Sequence, residues 1–319
     1  MAFVFTDVFT HARRFFAVRV LLCAFLVFCA APPADAALGF SPAVPLARIL
    51  YTADTFGYLH PCVSCSSGSQ GGMARRAALL RTLTHGQKRP LVLAGPNEFA
   101  DDSRRTTDLP ADNKLHALHG AFSRMPYTAV YLTPRTADRF AELKLPALPS
   151  GVVVSAKPVV EYYRAGDLTV ACVFFPAGAQ EHGKPTQEQY SDVMMAAAQA
   201  AKNASLIIGV SPWGMHLENA LMYGPLFEQF HGIFGSGEGI AIPGQAMNAN
   251  GVAGPLWVRS DRRGRAVNVL DIYEVPAGEF GKRSAWIDGI HFSSRLVFLE
   301  KDLPEDEEVK KIIETVPKD

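Results

Sequence analysis

The feature that most constrains this chain is an alternation of two hydrophobic periods. Apolar runs of strand length recur at 46–53, 91–94, 128–132, 152–155, 168–175, 206–210, 255–260 and 267–275. Between several of them lie helical patterns. The segment 73–83 has Ala77, Leu80 and Leu83 in register, 113–124 carries Leu115, Leu118 and Phe122, 187–202 is rich in Ala and Met, and 217–230 repeats Leu217, Leu221 and Phe227. A helix buries a stripe every three to four residues, whereas a strand covered on both faces reads as a short continuous apolar run. Their alternation predicts an α/β fold. The run 159–164 followed by Ala165-Gly166-Asp167, and the run 256–259 followed by a turn around Gly264, both read as hairpins, so the sheets are expected to be mixed. The Gly/Pro-rich stretch 235–255 reads as the longest irregular segment. A last helix is expected after Pro304, with four acids from Glu305 to Glu308 in its first turn and Lys310-Lys311 later, as the helix dipole favours.

The chain has 319 residues, 48% of them hydrophobic, with 31 basic against 31 acidic side chains. A formal charge of zero and the absence of a Lys/Arg run argue against nucleic acid as a partner, because counterion release would have nothing to drive it. Residues 1–36 read as an address: Arg13, Arg14 and Arg19 precede an apolar run at 20–31, too short to span a bilayer, and Ala34-Asp35-Ala36 has the small-x-small pattern of a signal-peptidase site. Export to a bacterial periplasm is expected, with one domain over 37–319 and no membrane span in the mature chain. Arg13-Arg14 also admits twin-arginine export.

Export gives the cysteines their meaning. Cys23 and Cys29 leave with the signal, so Cys62, Cys65 and Cys172 remain. Cys172 lies in an apolar strand-like run and reads as a core residue. Cys62 and Cys65 form a CxxC pair within His60-Pro61-Cys62-Val63-Ser64-Cys65.

The stretch from Ile49 to Leu59, with Asp54-Thr55-Phe56-Gly57 at its end, then Pro61-Cys62, then Gly71-Gly72-Met73-Ala74-Arg75-Arg76, resembles the opening of the 5′-nucleotidase-like branch of the calcineurin-type metallophosphoesterases. In that family a strand ends in Asp-x-His-Gly and a short loop leads to a Gly-Gly-x-Ala-Arg helix start. The later order of elements is similar too, so the resemblance spans roughly 47–316. It implies a four-layer α/β/β/α sandwich with mixed sheets and an active site on the loops after the strands.

Active members of the family bind two metal ions, because phosphoryl transfer needs a metal-bound hydroxide and a cationic clamp for the developing charge. The family's ligand positions fail here one after another. Asp54 is kept, but the His two residues on is Phe56. The Gly-Asp site reads Gly95-Pro96, the Gly-Asn-His site reads Thr133-Pro134-Arg135, the next His falls in Ser211-Pro212-Trp213, and the last Gly-His-x-His reads Gly235-Ser236-Gly237-Glu238. A dinuclear metal centre is not expected, nor any other cofactor. Rescue would require Asn97, Glu98, Asp101 or Asp102 to shift register and Glu238 to replace the last His. That alternative keeps a metal-dependent phosphoester hydrolase open.

The CxxC loop follows the Asp54 strand and belongs at the mouth where the family does its chemistry. As a structural disulfide it closes so short a loop that chain entropy suggests only about 2 kcal/mol of stabilisation. As a redox pair, two sulfurs three residues apart can exchange with a partner and resolve the mixed disulfide internally, and a helix N-terminus can lower a thiol pKa. As a metal site, His60, Cys62 and Cys65 offer three N/S donors without an identified fourth. The chain also resembles a subgroup of exported nucleotidase-like proteins that keep this motif, some with selenocysteine, which implies redox work. The expected role is thiol–disulfide exchange or partner binding, with Cys62 and Cys65 as the reacting pair, Cys62 as the attacking thiol and Asp54, His60 and Glu238 as weak metal candidates. The partner is a thiol-redox protein or a small-molecule ligand. The other open reading is a non-catalytic binding protein with a structural disulfide. His116 and His119 read as surface residues of a helix, His216 as a candidate for the mouth, His231 and His291 as core residues satisfied by hydrogen bonds, and Arg75-Arg76 as a surface ion-pairing site, with an anion held at the helix start as the alternative.

Overall fold

The computed structural model describes residues 44–62, 69–102, 108–177, 185–224, 229–249, 252–278 and 285–317. Residues 1–36, read above as a signal, and Cys65 lie outside them. Val44–Asp319 forms one compact unit.

Two six-stranded sheets carry the described chain. In the first, β1 (Ala47–Thr52), β2 (Leu91–Ala94), β3 (Ala129–Leu132) and β4 (Gly151–Val154) run parallel, while β11 (Ala266–Ile272) and β12 (Phe292–Phe298) extend the β1 edge antiparallel. In the second, β6 (Leu168–Phe174), β7 (Leu206–Ser211), β8 (Gly232–Gly235) and β10 (Val252–Arg259) run parallel, edged by antiparallel β5 (Val159–Ala165) and β9 (Ile242–Ala249).

The two-residue side-chain period of a strand builds the layers. Ile49, Tyr51, Leu91 and Leu93 of the first sheet meet Cys172, Phe174, Ile208, Val210 and Val258 of the second. Leu50 and Val92 face outward, into a cluster with Leu80 of α1 (Met73–Thr84), Leu118 and Phe122 of α2 (Asp112–Phe122), Phe140 of α3 (Pro134–Glu142) and Val309 of α6 (Glu307–Ile313). On the far side, Ala171, Val173 and Phe175 meet Val193 and Ala197 of α4 (Gln187–Ala200) and Leu221 of α5 (Met215–Met222). The architecture is therefore an α/β/β/α sandwich with mixed sheets, as expected.

Several sequence expectations need correction. The 159–164 hairpin forms as β5–β6, but the second does not: β10 stays in the second sheet and β11 enters the first, so the turn between them crosses the sandwich. A short Gly-bearing turn between apolar runs is common to both connections. The stretch 235–255 holds β9 and the start of β10 rather than a long loop. Of the stretch 217–230 expected to be helical, the described helix covers Met215–Met222 and residues 225–228 lie outside the described residues, and β8, β12 and α3 form where the sequence patterns marked no element.

Candidate functional site

Parallel strands deliver their C-terminal ends to one edge, and the loops that leave those ends build the site. Asp54 follows β1, Asn97 and Glu98 follow β2, Ser236 to Glu238 follow β8, and Ser260 to Gly264 follow β10. Asp54, Phe56 and Asn97 all have φ between 50° and 63°, a left-handed conformation costly for a side chain such as Phe. Main-chain bonds hold it: Asp54 N donates to Pro96 O at 3.1 Å and Phe56 N to Asn97 O at 3.0 Å.

The Asp54 carboxylate is buried and faces donors. Gly237 N donates to Oδ1 at 2.8 Å and Oδ2 at 3.0 Å, and Asn97 Nδ2 donates to Oδ1 at 2.9 Å. Burial raises its pKa to about 7, against the opposing effects of those hydrogen bonds and of the Arg259 charge.

Arg259 organises the other wall. Its guanidinium is buried; Nη2 donates to the carbonyls of Ser236, Gly237 and Glu238 at 3.0, 3.1 and 2.9 Å, and Nη1 pairs with the buried carboxylate of Glu218. Trp257 Nε1 also donates to Glu218, at 3.1 Å. Burial raises the Glu218 pKa, with Arg259 and Trp257 pulling it back. Glycine is required at 235, because a Cβ there would overlap the Glu218 carboxyl group. The 236–238 loop is thus held at once by a carboxylate on its amide and a guanidinium on its carbonyls.

A second buried pair lies beneath the β1 and β2 ends. Arg76 Nη1 donates to Glu98 Oε2 at 3.0 Å, Thr52 and Thr55 hydroxyls donate to the same carboxylate, and Arg76 Nη2 donates to Thr55 Oγ1 at 2.7 Å. Burial opposes the Arg76 charge, but Glu98 and Tyr127 outweigh it and raise the pKa. Arg76 is therefore not part of the surface ion pair expected from sequence. Gly264, at φ 56°, roofs this pair, and a Cβ there would overlap Arg76 Nη2. Gly264→Ala combines that clash with a left-handed conformation, so it is expected to cost about 2 kcal/mol. An unchanged melting temperature would show that the turn can lift off Arg76.

Over this floor sits a mixed aromatic and basic rim. Arg262 lies 5.0 Å from the Phe56 ring centroid and Arg263 4.7 Å from that of Tyr58. Both arginines and the Tyr58 hydroxyl donate to Asp102. Burial works against the Asp102 charge, yet Arg263, Tyr58 and Arg262 hold its pKa down.

Cys62 is disulfide-bonded, and its partner lies outside the described residues. Cys62 N donates to Gln70 O at 2.8 Å, closing the loop at its base. Gly71 N donates to Leu299 O at 2.9 Å and Gln70 Nε2 to Glu300 Oε1 at 2.6 Å. The loop base is thereby tied to the segment after β12, and a Cβ on Gly71 would be 3.6 Å from Arg263 O. The loop base at Gly71 therefore lies near the main chain of Arg263.

The residues present do not suit the metal centre that the fold implies. A cation needs lone pairs directed at it. Here the oxygens of Asp54 are taken by N–H groups, the carbonyls of 236–238 by a guanidinium, and Pro96 has no donor atom to offer. Glu238 has an exposed side chain and contributes its carbonyl. His60 Nε2 lies 3.2 Å from Val316 O, near the end of the described chain. Among the described residues, no three His, Cys, Asp or Glu side chains form a group that could hold a metal ion.

The remaining histidines serve elsewhere. His116 Nδ1 lies 2.8 Å from Asp112 O on the surface, whereas His119 is buried against Phe140 with Nε2 2.8 Å from Pro146 O, so the two do not pair. His231 accepts from Ile207 N in the core, as expected, whereas His291, half-buried and not a core residue, accepts from Ile287 N in an exposed bond. His216 is exposed on α5, whose first residue Met215 donates its N–H to Glu238 O. Cys172 is a free, fully buried core thiol whose pKa burial pushes up.

Layer order and sheet topology give the chain a fold that it shares with solved 5′-nucleotidases and a calcineurin-like phosphoesterase. No family model and no curated protein matches the chain. Among solved structures it is similar to a 5′-nucleotidase precursor of Thermus thermophilus (18% identity, TM-score 0.60, 84% of this chain and 58% of that one). It is also similar to the sulfate thiohydrolase SoxB of Thermus thermophilus (14%, 0.62, 86% and 60%). A third is the calcineurin-like phosphoesterase YfkN of Bacillus subtilis (13%, 0.56, 86% and 97%). The chain thus spans about three fifths of the first two. Among the described residues, no helix is long and apolar enough to cross a membrane.

Proposed function

We propose that this is an exported protein of metallophosphoesterase fold that has given up dinuclear phosphoester chemistry and uses the loop of Cys62 and Cys65 for thiol–disulfide exchange with a periplasmic partner. The observation that carries the reading is a contrast. At the strand ends, the Asp54 carboxylate and the carbonyls of 236–238 are engaged by protein hydrogen bonds, while Cys62 sits disulfide-bonded at a loop base closed by its bond to Gln70 O.

In the proposed reaction the reduced Cys62 thiolate attacks one sulfur of a partner disulfide, forming a mixed disulfide and releasing the partner's first thiolate. Cys65, giving up its proton to solvent, then attacks the Cys62 sulfur and releases the second partner thiolate. Two electrons pass from the cysteine pair to the partner, and the Cys62–Cys65 disulfide results. Helix α1 begins at Met73, eleven residues after Cys62, with Gly72 at its N-cap and no side chain capping it. Its N-terminal amides favour negative charge nearby.

A redox titration of the mature protein, read by alkylation and mass spectrometry after metal analysis, tests this. Cys62 and Cys65 are expected to convert together at a potential near or above about −270 mV, where thiol oxidoreductases operate. A pair that resists reduction below about −300 mV would instead be structural. A stoichiometric metal ion, or phosphoesterase activity with Mn²⁺, would return the chain to the hydrolase reading.

A further inference from the structure

Next to the Cys62 loop is a cavity of about 240 Å³, walled on one side by His60, Pro61, Ser69 and Arg75 and on the other by Glu305, Lys310 and Glu314. That is below the roughly 300–1,000 Å³ of sites for drug-sized molecules, and so suits a ligand of amino-acid size. Arg75 is 8% exposed, and its Nε has no hydrogen-bond partner among the described residues. Its Nη1 donates to Ser69 O at 2.9 Å, whereas Glu305 Oε1 is 3.5 Å from Nε. Lys310 Nζ lies 3.2 Å from the other oxygen of Glu305. A buried N–H without an acceptor costs about 1–3 kcal/mol, a cost that a ligand oxygen would remove.

Two cations and two carboxylates around so small a space match a zwitterion better than a simple anion. We infer that this cavity binds the amino-acid head of a low-molecular-weight thiol, its carboxylate accepting from Arg75 Nε and Lys310 Nζ and its ammonium donating to Glu314. Pro61, which lines the cavity, directly precedes Cys62 in the chain. The bound thiolate attacks the Cys62 sulfur, a mixed disulfide forms, and the displaced cysteine thiolate takes a proton from water. A second molecule of the thiol then attacks the sulfur of the first, giving the small disulfide and the Cys62 thiolate. This inference rests on the redox reading above.

Binding and exchange can be measured apart. In calorimetry, S-methylglutathione, which cannot exchange, is expected to bind the full mature protein, and Lys310→Met, a change at a partly exposed side chain, is expected to weaken it at least tenfold. No binding, or equal binding by the variant, overturns the cavity assignment. In exchange followed by mass spectrometry, glutathione is expected to give a rate that saturates with concentration, and 2-mercaptoethanol one that rises linearly. Linear rates for both reagents also overturn it. A Cys62 disulfide inert to both thiols overturns the redox reading beneath it, even if S-methylglutathione still binds.

Discussion

Arg259→Met is expected to destabilise the protein by about 5 kcal/mol, the upper end of what breaking a buried ion pair costs. Two losses combine. Glu218, fully buried, is left charged without its partner, and the carbonyls of Ser236, Gly237 and Glu238 lose the donor they share. The companion variant, Arg259→Met with Glu218→Leu, separates them. Replacing both members of a simple buried pair by apolar side chains is often neutral or stabilising. Here the double variant is expected to stay about 2 kcal/mol or more below the wild type, because the buried carbonyls of Ser236 and Gly237 are left without a donor and keep their desolvation cost, while Glu238 O retains Met215 N. Denaturant midpoints of the three proteins decide it. A double variant that regains full stability would mean that the 236–238 loop holds its shape without the guanidinium.

The parts of this architecture that sequence could reveal are those fixed by period. Strand-length apolar runs mark β1, β2, β6 and β7, and Ala77 and Leu80 mark the buried stripe of α1. The layering comes only through the resemblance, since an apolar run does not say which neighbour covers it. The path of the chain between β10 and β11 escapes a local reading because turn chemistry is local, while the choice of sheet depends on partners distant in sequence. Within the site, Asp54 and Phe56 are visible as a kept and a lost ligand. Glu218 and Arg259 are not. One sits on an otherwise amphipathic helical pattern, the other ends the run Leu256-Trp257-Val258. A charge closing an apolar strand needs a buried partner, and that is the signal the sequence offers. Arg75 and Arg76 are misplaced on the surface for the complementary reason: adjacent arginines read as solvated in sequence, and only tertiary neighbours, Ser69 O for the first and the Gly264 roof with Glu98 for the second, make them internal.

The stability contributed by Asp54 is expected to fall by about 4 kcal/mol as pH rises from about 4 to 7. Its carboxyl has an ordinary value of 3.8 and is raised to about 7 in the folded protein. Between those values the native state binds a proton that the unfolded chain has released, so the contribution is fully present below the lower value and is lost through the upper one. His119 works in the opposite direction: burial lowers its pKa below 6.5, so the folded state releases a proton there and stability rises with pH. The two contributions overlap, and the wild-type profile alone cannot assign them. Asp54→Asn separates them, since an amide oxygen can still accept from Gly237 N and Asn97 Nδ2 but has no proton to lose. The difference in unfolding free energy between wild type and variant is expected to shift steadily toward the variant from pH 5 to pH 7.5, then level off. A flat difference would mean that Asp54 stays ionised across the range, with the hydrogen bonds from Gly237 and Asn97 and the charge of Arg259 outweighing the burial that pushes it up.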